Sequence, residues 1–138
     1  MAPIHDAVYG GKPGHVEAVR RELAAGVSPD LLGVHYNSRG RPLTPLMIAG
    51  YMGRLECTRL LIEAGADVNI CTYIEGEGVS PLLLACRTGN RDVVAMLLAA
   101  GASVSPPFDI LPVESLQHDN HKHIVPMLLR AGSPLPRF

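Results

Sequence analysis

Apolar residues recur along residues 80–105 in a pattern that predicts two short helices separated by a break. Pro81 suits the first turn of a helix, where its missing N–H is not needed. Gly89 and Asn90 interrupt the apolar pattern, and Gly101 stands where a helix end favours a left-handed residue. The apolar positions are Leu82, Leu83 and Ala85 in the first helix and Val93, Val94, Leu97 and Leu98 in the second. Their spacing is typical of amphipathic helices that bury one stripe.

The same frame is repeated along the chain, with proline at each start and glycine at each break. Glycines follow Pro45 at distances of 8 and 20 residues, as they do Pro81, and these two prolines are 36 residues apart. Two weaker copies cover residues 3–26 and 112–132. The first copy has three additional residues, which we expect between its two helices, at residues 10–13. A period of about 20–50 residues indicates a stack of short repeated units.

The segment Thr44–Pro45–Leu46, followed by Ala49, resembles the T-P-L-H-x-A signature of ankyrin repeats. This resemblance implies an all-α fold, an ankyrin-repeat solenoid of four helix-turn-helix units with hairpin-like finger loops. It covers nearly the whole chain, which we expect to form a single domain, residues 1–138. The four repeats are expected at about residues 1–30, 31–69, 70–105 and 106–138.

Only the first copy keeps the histidine of the signature, at His5. The residues in that slot in the other copies are Met47, Leu83 and Glu114. The resemblance implies that His5 bonds to loop backbone, and that the units without histidine depend more on apolar packing between first helices. Asn69 stands at the family's asparagine, which usually bonds to the backbone of the neighbouring hairpin.

The composition fits one folded domain in a reducing compartment, cytoplasmic or nuclear. Hydrophobic residues make up 47% of the chain and charged residues 18%, which excludes general disorder. A net charge of −1 gives no reason to expect binding to nucleic acid or to an anionic membrane. We find no signal-peptide pattern and no apolar run long enough to span a membrane. The three cysteines have no close pairing, and we expect Cys57 and Cys86 to pack as small apolar residues in a monomer or weakly self-associating protein.

No pattern in the sequence predicts catalysis or a cofactor, so we expect a protein that is not an enzyme. Glu75 and Glu77 lie in a glycine-rich loop, without the shaped apolar pocket that would tune them as acid and base. His118, His121 and His123 are the nearest approach to a metal site. They are expected at a helix end, in a turn and at a helix start, and so need not converge on a metal ion. A metal- or pH-responsive protein built on these histidines is a remaining alternative.

The first predicted finger loop is longer than the family's usual one, by six residues between Gly26 and Pro45. Its candidate contact residues are His35, Tyr36, Arg39 and Arg41, and Tyr73 is the candidate in the strand-like base of the second finger. These could equally be solvated loop residues, since loops carry both roles. An alternative function follows, in which the 30–43 loop makes the protein a regulatory or inhibitory subunit of another protein.

The resemblance implies a concave groove made by the fingers and first helices, which the two residues before each inter-helix glycine face. In this chain the residues so placed are Tyr9, Tyr51, Met52, Arg87, Thr88 and His118. Tyr and Arg are enriched where partners bind most tightly, and Met adapts to irregular surfaces. The alternative is that Tyr and Met pack against the neighbouring finger. We therefore predict a module that binds a protein or peptide partner through this groove.

Overall fold

The computed structural model describes residues 3–10, 13–34, 42–70, 72–74, 77–102 and 130. Over these residues the chain forms helix pairs that alternate with short β-hairpins. The helices are α1 (Pro3–Gly10), α2 (Pro13–Ala24), α3 (Pro45–Met52), α4 (Leu55–Glu63), α5 (Pro81–Arg87) and α6 (Arg91–Ala99). The strands are β1 (Gly33–Val34), β2 (Pro42–Leu43), β3 (Thr72–Ile74) and β4 (Glu77–Val79).

A hydroxyl residue followed by proline starts the first helix of the second and third repeats. The Thr44 hydroxyl accepts a hydrogen bond from the Met47 N–H at 3.2 Å, and the Ser80 hydroxyl accepts from the Leu83 N–H at the same distance. These bonds satisfy backbone donors that have no partner inside the helix. The helix starts predicted from the prolines at 45 and 81 are confirmed.

Each second helix ends on a left-handed glycine. Gly26, Gly65 and Gly101 have φ of 90°, 90° and 93°. The N–H of the following residue reaches back five residues each time, as in Ala66 to Leu61 at 3.0 Å and Ala102 to Leu97 at 3.0 Å. This is the Schellman arrangement, which needs a residue without a Cβ at the left-handed position. The predicted role of Gly101 is confirmed.

The three additional residues of the first repeat lengthen its second helix instead of its turn. α2 has 12 residues, whereas α4 and α6 have 9 each. α2 begins at Pro13, so only residues 11 and 12 separate it from α1. The expectation of an enlarged turn was wrong, because Pro13 suits a first helical position and starts the helix as early as in the other repeats.

The helices form two rows that enclose one continuous apolar core. α1, α3 and α5 pack side by side, as do α2, α4 and α6, and each first helix also packs on the second helix of its own repeat. The core includes Leu46, Ile48, Leu61, Leu82 and Leu97, all at most 3% exposed. Stacked units that share a core in this way are stabilised by their neighbours.

Two antiparallel hairpins project from the stack as the bases of the finger loops. In the first, Gly33 pairs with Leu43 and Val34 with Pro42. In the second, Thr72 pairs with Val79, Tyr73 with Gly78 and Ile74 with Glu77. The predicted all-α solenoid with hairpin-like fingers is confirmed.

Candidate partner-binding groove

His5 ties the base of the first finger to the first helix. The ring is fully buried, and its Nε2–H donates to the carbonyl oxygens of Leu31 at 2.7 Å and Leu43 at 3.2 Å. The ring also lies against Gly33, where an added Cβ would come within 2.6 Å of it. The bond to loop backbone that the resemblance implied is present, so His5 holds the finger.

Apolar residues take the place of this histidine in the next two repeats. Met47 and Leu83 are 0% and 1% exposed. Met47 keeps one weak polar contact, from the Thr72 hydroxyl to its sulfur at 4.0 Å. Apolar packing between first helices therefore replaces the histidine bond there, as predicted.

The residue after each inter-helix glycine bonds back to the preceding repeat. Arg54 donates through Nη2 to the Tyr9 carbonyl at 3.1 Å. One repeat later, Asn90 donates through Nδ2 to the carbonyls of Gly50 at 2.8 Å and Tyr51 at 3.4 Å. Arg54 and Asn90 make the same kind of bond at two successive junctions between repeats. Their acceptor residues, Tyr9 and Tyr51, therefore occupy equivalent positions in the stack. The extra residues in α2 therefore do not disturb the register of the first helices.

A second set of contacts joins the repeats at the finger bases. Asp30 Oδ1 accepts a hydrogen bond from the Asp67 N–H at 2.9 Å. Asn69 donates through Nδ2 to the Gly101 carbonyl at 3.2 Å. Here the earlier repeat supplies the side chain and the later repeat the backbone. Asn69 thus reaches backbone of the next repeat at the glycine that ends α6, and the bond to hairpin backbone that the resemblance implied stays a prediction.

Among the described residues of α1, α3 and α5, Tyr51 is the large apolar side chain that stays exposed. The six residues before it in α3, from Pro45 to Gly50, are all buried. Tyr51 is 54% exposed, and Met52 is half-buried against the core. A ring that is exposed at the end of an otherwise buried helix is available to a partner.

Tyr9, Arg87 and Thr88 are half-buried near the ends of α1 and α5. Tyr9 also packs against the core. The Thr88 hydroxyl donates to the Leu84 carbonyl at 3.0 Å and accepts from Asn90 Nδ2 at 2.7 Å. The Thr88 side chain therefore stabilises the turn between α5 and α6.

Most of the remaining predicted contact residues fall outside the part of the chain that the structure describes. His35, Tyr36, Arg39, Arg41 and His118 lie outside the described residues, as do His121 and His123. Tyr73 lies in β3, opposite Gly78 of β4. Each of these contacts stays a prediction.

Leu31 and Leu32 form an exposed apolar pair that the sequence analysis did not single out. They are 39% and 51% exposed, directly before β1. The sequence signal was a pair of leucines placed after the turn at residues 28–30, where the Asp30 N–H donates to the Ser28 hydroxyl at 3.2 Å. Two leucines outside any helical stripe have no predicted place in the core.

An open depression of about 260 Å³ lies between α2 and α4. Its walls are largely apolar, and its lining residues are His15, Val16, Gly53, Arg54, Leu55, Glu56 and Cys57. Arg54 bonds to Tyr9, and Glu56 pairs with Arg59 at 3.1 Å. Arg54 is thus used between repeats, and Glu56 in an exposed pair within α4.

The two described cysteines are packing residues. Cys57 and Cys86 are 3% and 0% exposed. Burial raises the pKa of the Cys86 thiol to about 12, and burial also raises the pKa of Cys57, although the nearby Arg54 opposes the rise. Thiols protonated at neutral pH are poor nucleophiles and metal ligands. Among the described residues, no group of His, Cys, Asp and Glu could hold a metal ion, and no helix could cross a membrane.

Comparison with known families matches the ankyrin repeat model, in three copies, to residues 4–107. The chain belongs to the ankyrin repeat family. Ankyrin repeats generally act as protein–protein interaction modules and are typically non-catalytic. Curated proteins gave no match. The matched range covers the repeats expected at 1–30, 31–69 and 70–105; the fourth, at 106–138, falls almost wholly outside the described residues and stays a prediction.

Proposed function

We propose that this ankyrin-repeat protein binds a protein or peptide partner in the groove formed by its first helices and fingers. The exposure of Tyr51 carries the proposal, because the rest of α3 up to that residue is buried. Tyr9 and Arg87 extend the site on either side, one from each neighbouring repeat. We call these three residues, Tyr9, Tyr51 and Arg87, the groove row.

The chemistry of the groove row suits binding and not catalysis. Tyrosine offers a large, rigid contact area, and arginine offers a planar set of hydrogen-bond donors. Both residue types are over-represented among the side chains that dominate binding energy. The surrounding helices are fixed by a shared core, so the row is presented at little cost in conformational entropy.

Substitution of the groove row tests this function. Bait protein carrying Tyr51→Ala and Arg87→Ala should lose partners that the unchanged protein captures from native extract, by about tenfold or more in bound material. Arg59→Ala is the control, since Arg59 lies exposed on α4 in the other row of helices. Matching thermal unfolding curves would show that both variants are folded. Equal capture of every partner by folded Tyr51→Ala/Arg87→Ala protein would contradict the proposal.

A second candidate is a regulatory subunit that acts through its first finger, and exposed Leu31 and Leu32 favour it. An apolar pair at the base of the long 30–43 loop gives that loop an anchor for a partner surface. Deletion of residues 36–41, or Leu31→Ser with Leu32→Ser, should then abolish capture, while Tyr51→Ala/Arg87→Ala protein binds normally. The reverse result would assign the function to the groove row.

A further inference from the structure

The groove row repeats along the stack at a spacing set by helix packing. α1, α3 and α5 lie side by side, and packed helices are separated by about 8–10 Å. The equivalent contacts of Arg54 with the Tyr9 carbonyl and of Asn90 with the Tyr51 carbonyl keep these residues in register. A ligand that crosses the helices therefore meets one contact of the row about every 8–10 Å.

Among regular peptide conformations, the polyproline II helix matches this spacing. It has three residues per turn and rises about 3.1 Å per residue, so the same face returns about every 9.3 Å. A β-strand repeats its face about every 6.6–6.8 Å, which falls out of step with the row. Pairing with a finger strand is also disfavoured, since the described strands are only two or three residues long.

A helical peptide does not fit the described surface. Two turns of α-helix also span about 10.8 Å, but a docked helix needs a continuous apolar trough for anchors three and four residues apart. In α3 the residues that could line such a trough are buried, and Tyr51 stands out alone among the large apolar side chains of that helix. One contact per repeat suits a ligand that presents one side chain per turn.

We propose that the groove row recognises a proline-rich peptide in the polyproline II conformation, with a residue facing it at every third position. This inference rests on the proposed function and names its partner class. Tyrosine rings at positions 9 and 51 would take the prolines, because aromatic surfaces are what such peptides dock on. Arg87 ends α5, whereas α3 carries no charged residue, so the third facing position is acidic.

Synthetic peptides test the spacing. The probe is a fluorescein-labelled alanine–proline peptide with Pro, Pro and Glu at every third position, made in both chain directions. Its control has the same residues at every fourth position. We expect the three-residue spacing to bind about tenfold more tightly, as measured by fluorescence anisotropy, and Tyr51→Ala to remove that advantage. Equal binding of the two spacings would overturn the inference.

Charge reversal tests the position of the acidic residue. Arg87→Glu should make the protein prefer a peptide with Lys in place of Glu, while Arg91→Glu, an equal change of net charge on α6, should leave the preference for Glu intact. An unchanged preference in Arg87→Glu would also overturn the inference. If neither peptide binds at up to about 1 mM but capture of native partners still requires Tyr51, the polyproline inference fails and the proposed function stands. If capture is also independent of Tyr51, the proposed function itself fails.

Discussion

His5 and Gly33 form a pair in which each residue limits the other. A Cβ on Gly33 would lie 2.6 Å from Cε1 of His5. The ring cannot withdraw without losing its bonds to the Leu31 and Leu43 carbonyls. We predict that Gly33→Ala lowers the free energy of unfolding by about 1–3 kcal/mol, the usual cost of overpacking. Urea denaturation followed by circular dichroism would measure it.

The double variant separates this clash from other effects of the glycine. His5→Ala should itself be destabilising by about 1–3 kcal/mol, because it leaves two part-buried carbonyls without their donor. In the His5→Ala background, Gly33→Ala no longer meets a ring and should cost less than about 0.5 kcal/mol. An equal cost in both backgrounds would show that the clash is not what fixes glycine at residue 33.

At the scale of the elements, α3 and α5 approach closely at Gly50. A Cβ there would lie 2.9 Å from the Pro81 carbonyl oxygen, which belongs to backbone and cannot rotate away. In an exposed helix, Ala is more favourable than Gly by about 1 kcal/mol. We predict the opposite sign at this position: Gly50→Ala should destabilise by about 1–3 kcal/mol, because it pushes the two helices apart.

Thermal or urea unfolding would check the sign of that change. Arg59→Ala, on the exposed face of α4, is the matched control and should change stability by less than about 0.5 kcal/mol. A Gly50→Ala protein that is more stable than the unchanged one would mean that the helices can move apart freely. The packing of α3 on α5 would then be loose, contrary to the structure.

The starts and ends of the helices could be predicted from sequence because they depend on local chemistry. Proline at a first position and glycine at a left-handed end act within one turn of the chain, so Pro45 and Gly101 were enough. The length of α2 could not be predicted in this way. Three additional residues can be placed either in the turn between the helices or in the second helix. They lie in the helix because α2 already begins at Pro13.

At the scale of the whole molecule, one core joins the repeats, so a buried group in one repeat affects the stability of all of them. Cys86 is fully buried, and burial raises the pKa of its thiol to about 12. In the unfolded chain a cysteine ionises at about pH 8.5. Between those values the folded state holds a proton that the unfolded state has lost. Stability should therefore fall as pH rises from about 9 to 12, by up to about 1.4 kcal/mol per pH unit.

A comparison of slopes tests this, since tyrosine and lysine residues also titrate in that range. Cys86→Ala should make the fall of unfolding free energy with pH shallower, whatever its cost in packing at neutral pH. Ala95→Ser, at an exposed position of α6, is the control and is expected to keep the slope of the unchanged protein. Identical slopes for the unchanged protein and Cys86→Ala would contradict a buried, protonated thiol.

The candidate site was only partly predictable from sequence. Tyr51 could be named because the repeat places it before the inter-helix glycine, and it is exposed as expected. The bonds of Arg54 and Asn90 to the preceding repeat could not be predicted, because they depend on how closely two turns approach after stacking. Leu31 and Leu32 were missed for a related reason, since the periodicity describes helices and these residues precede a hairpin.

The contacts between repeats have a consequence for any attempt to shorten or extend the chain. At the inter-helix turns the later unit reaches back, through Arg54 or Asn90; at the finger bases the earlier unit reaches forward, through Asp30 or Asn69. Both junctions among the first three repeats are thus held by hydrogen bonds from either side. A cut inside a unit would leave a backbone carbonyl or amide without its hydrogen-bond partner on the side that remained. Repeats should therefore be exchanged together with both sides of a junction, and not as single helix pairs.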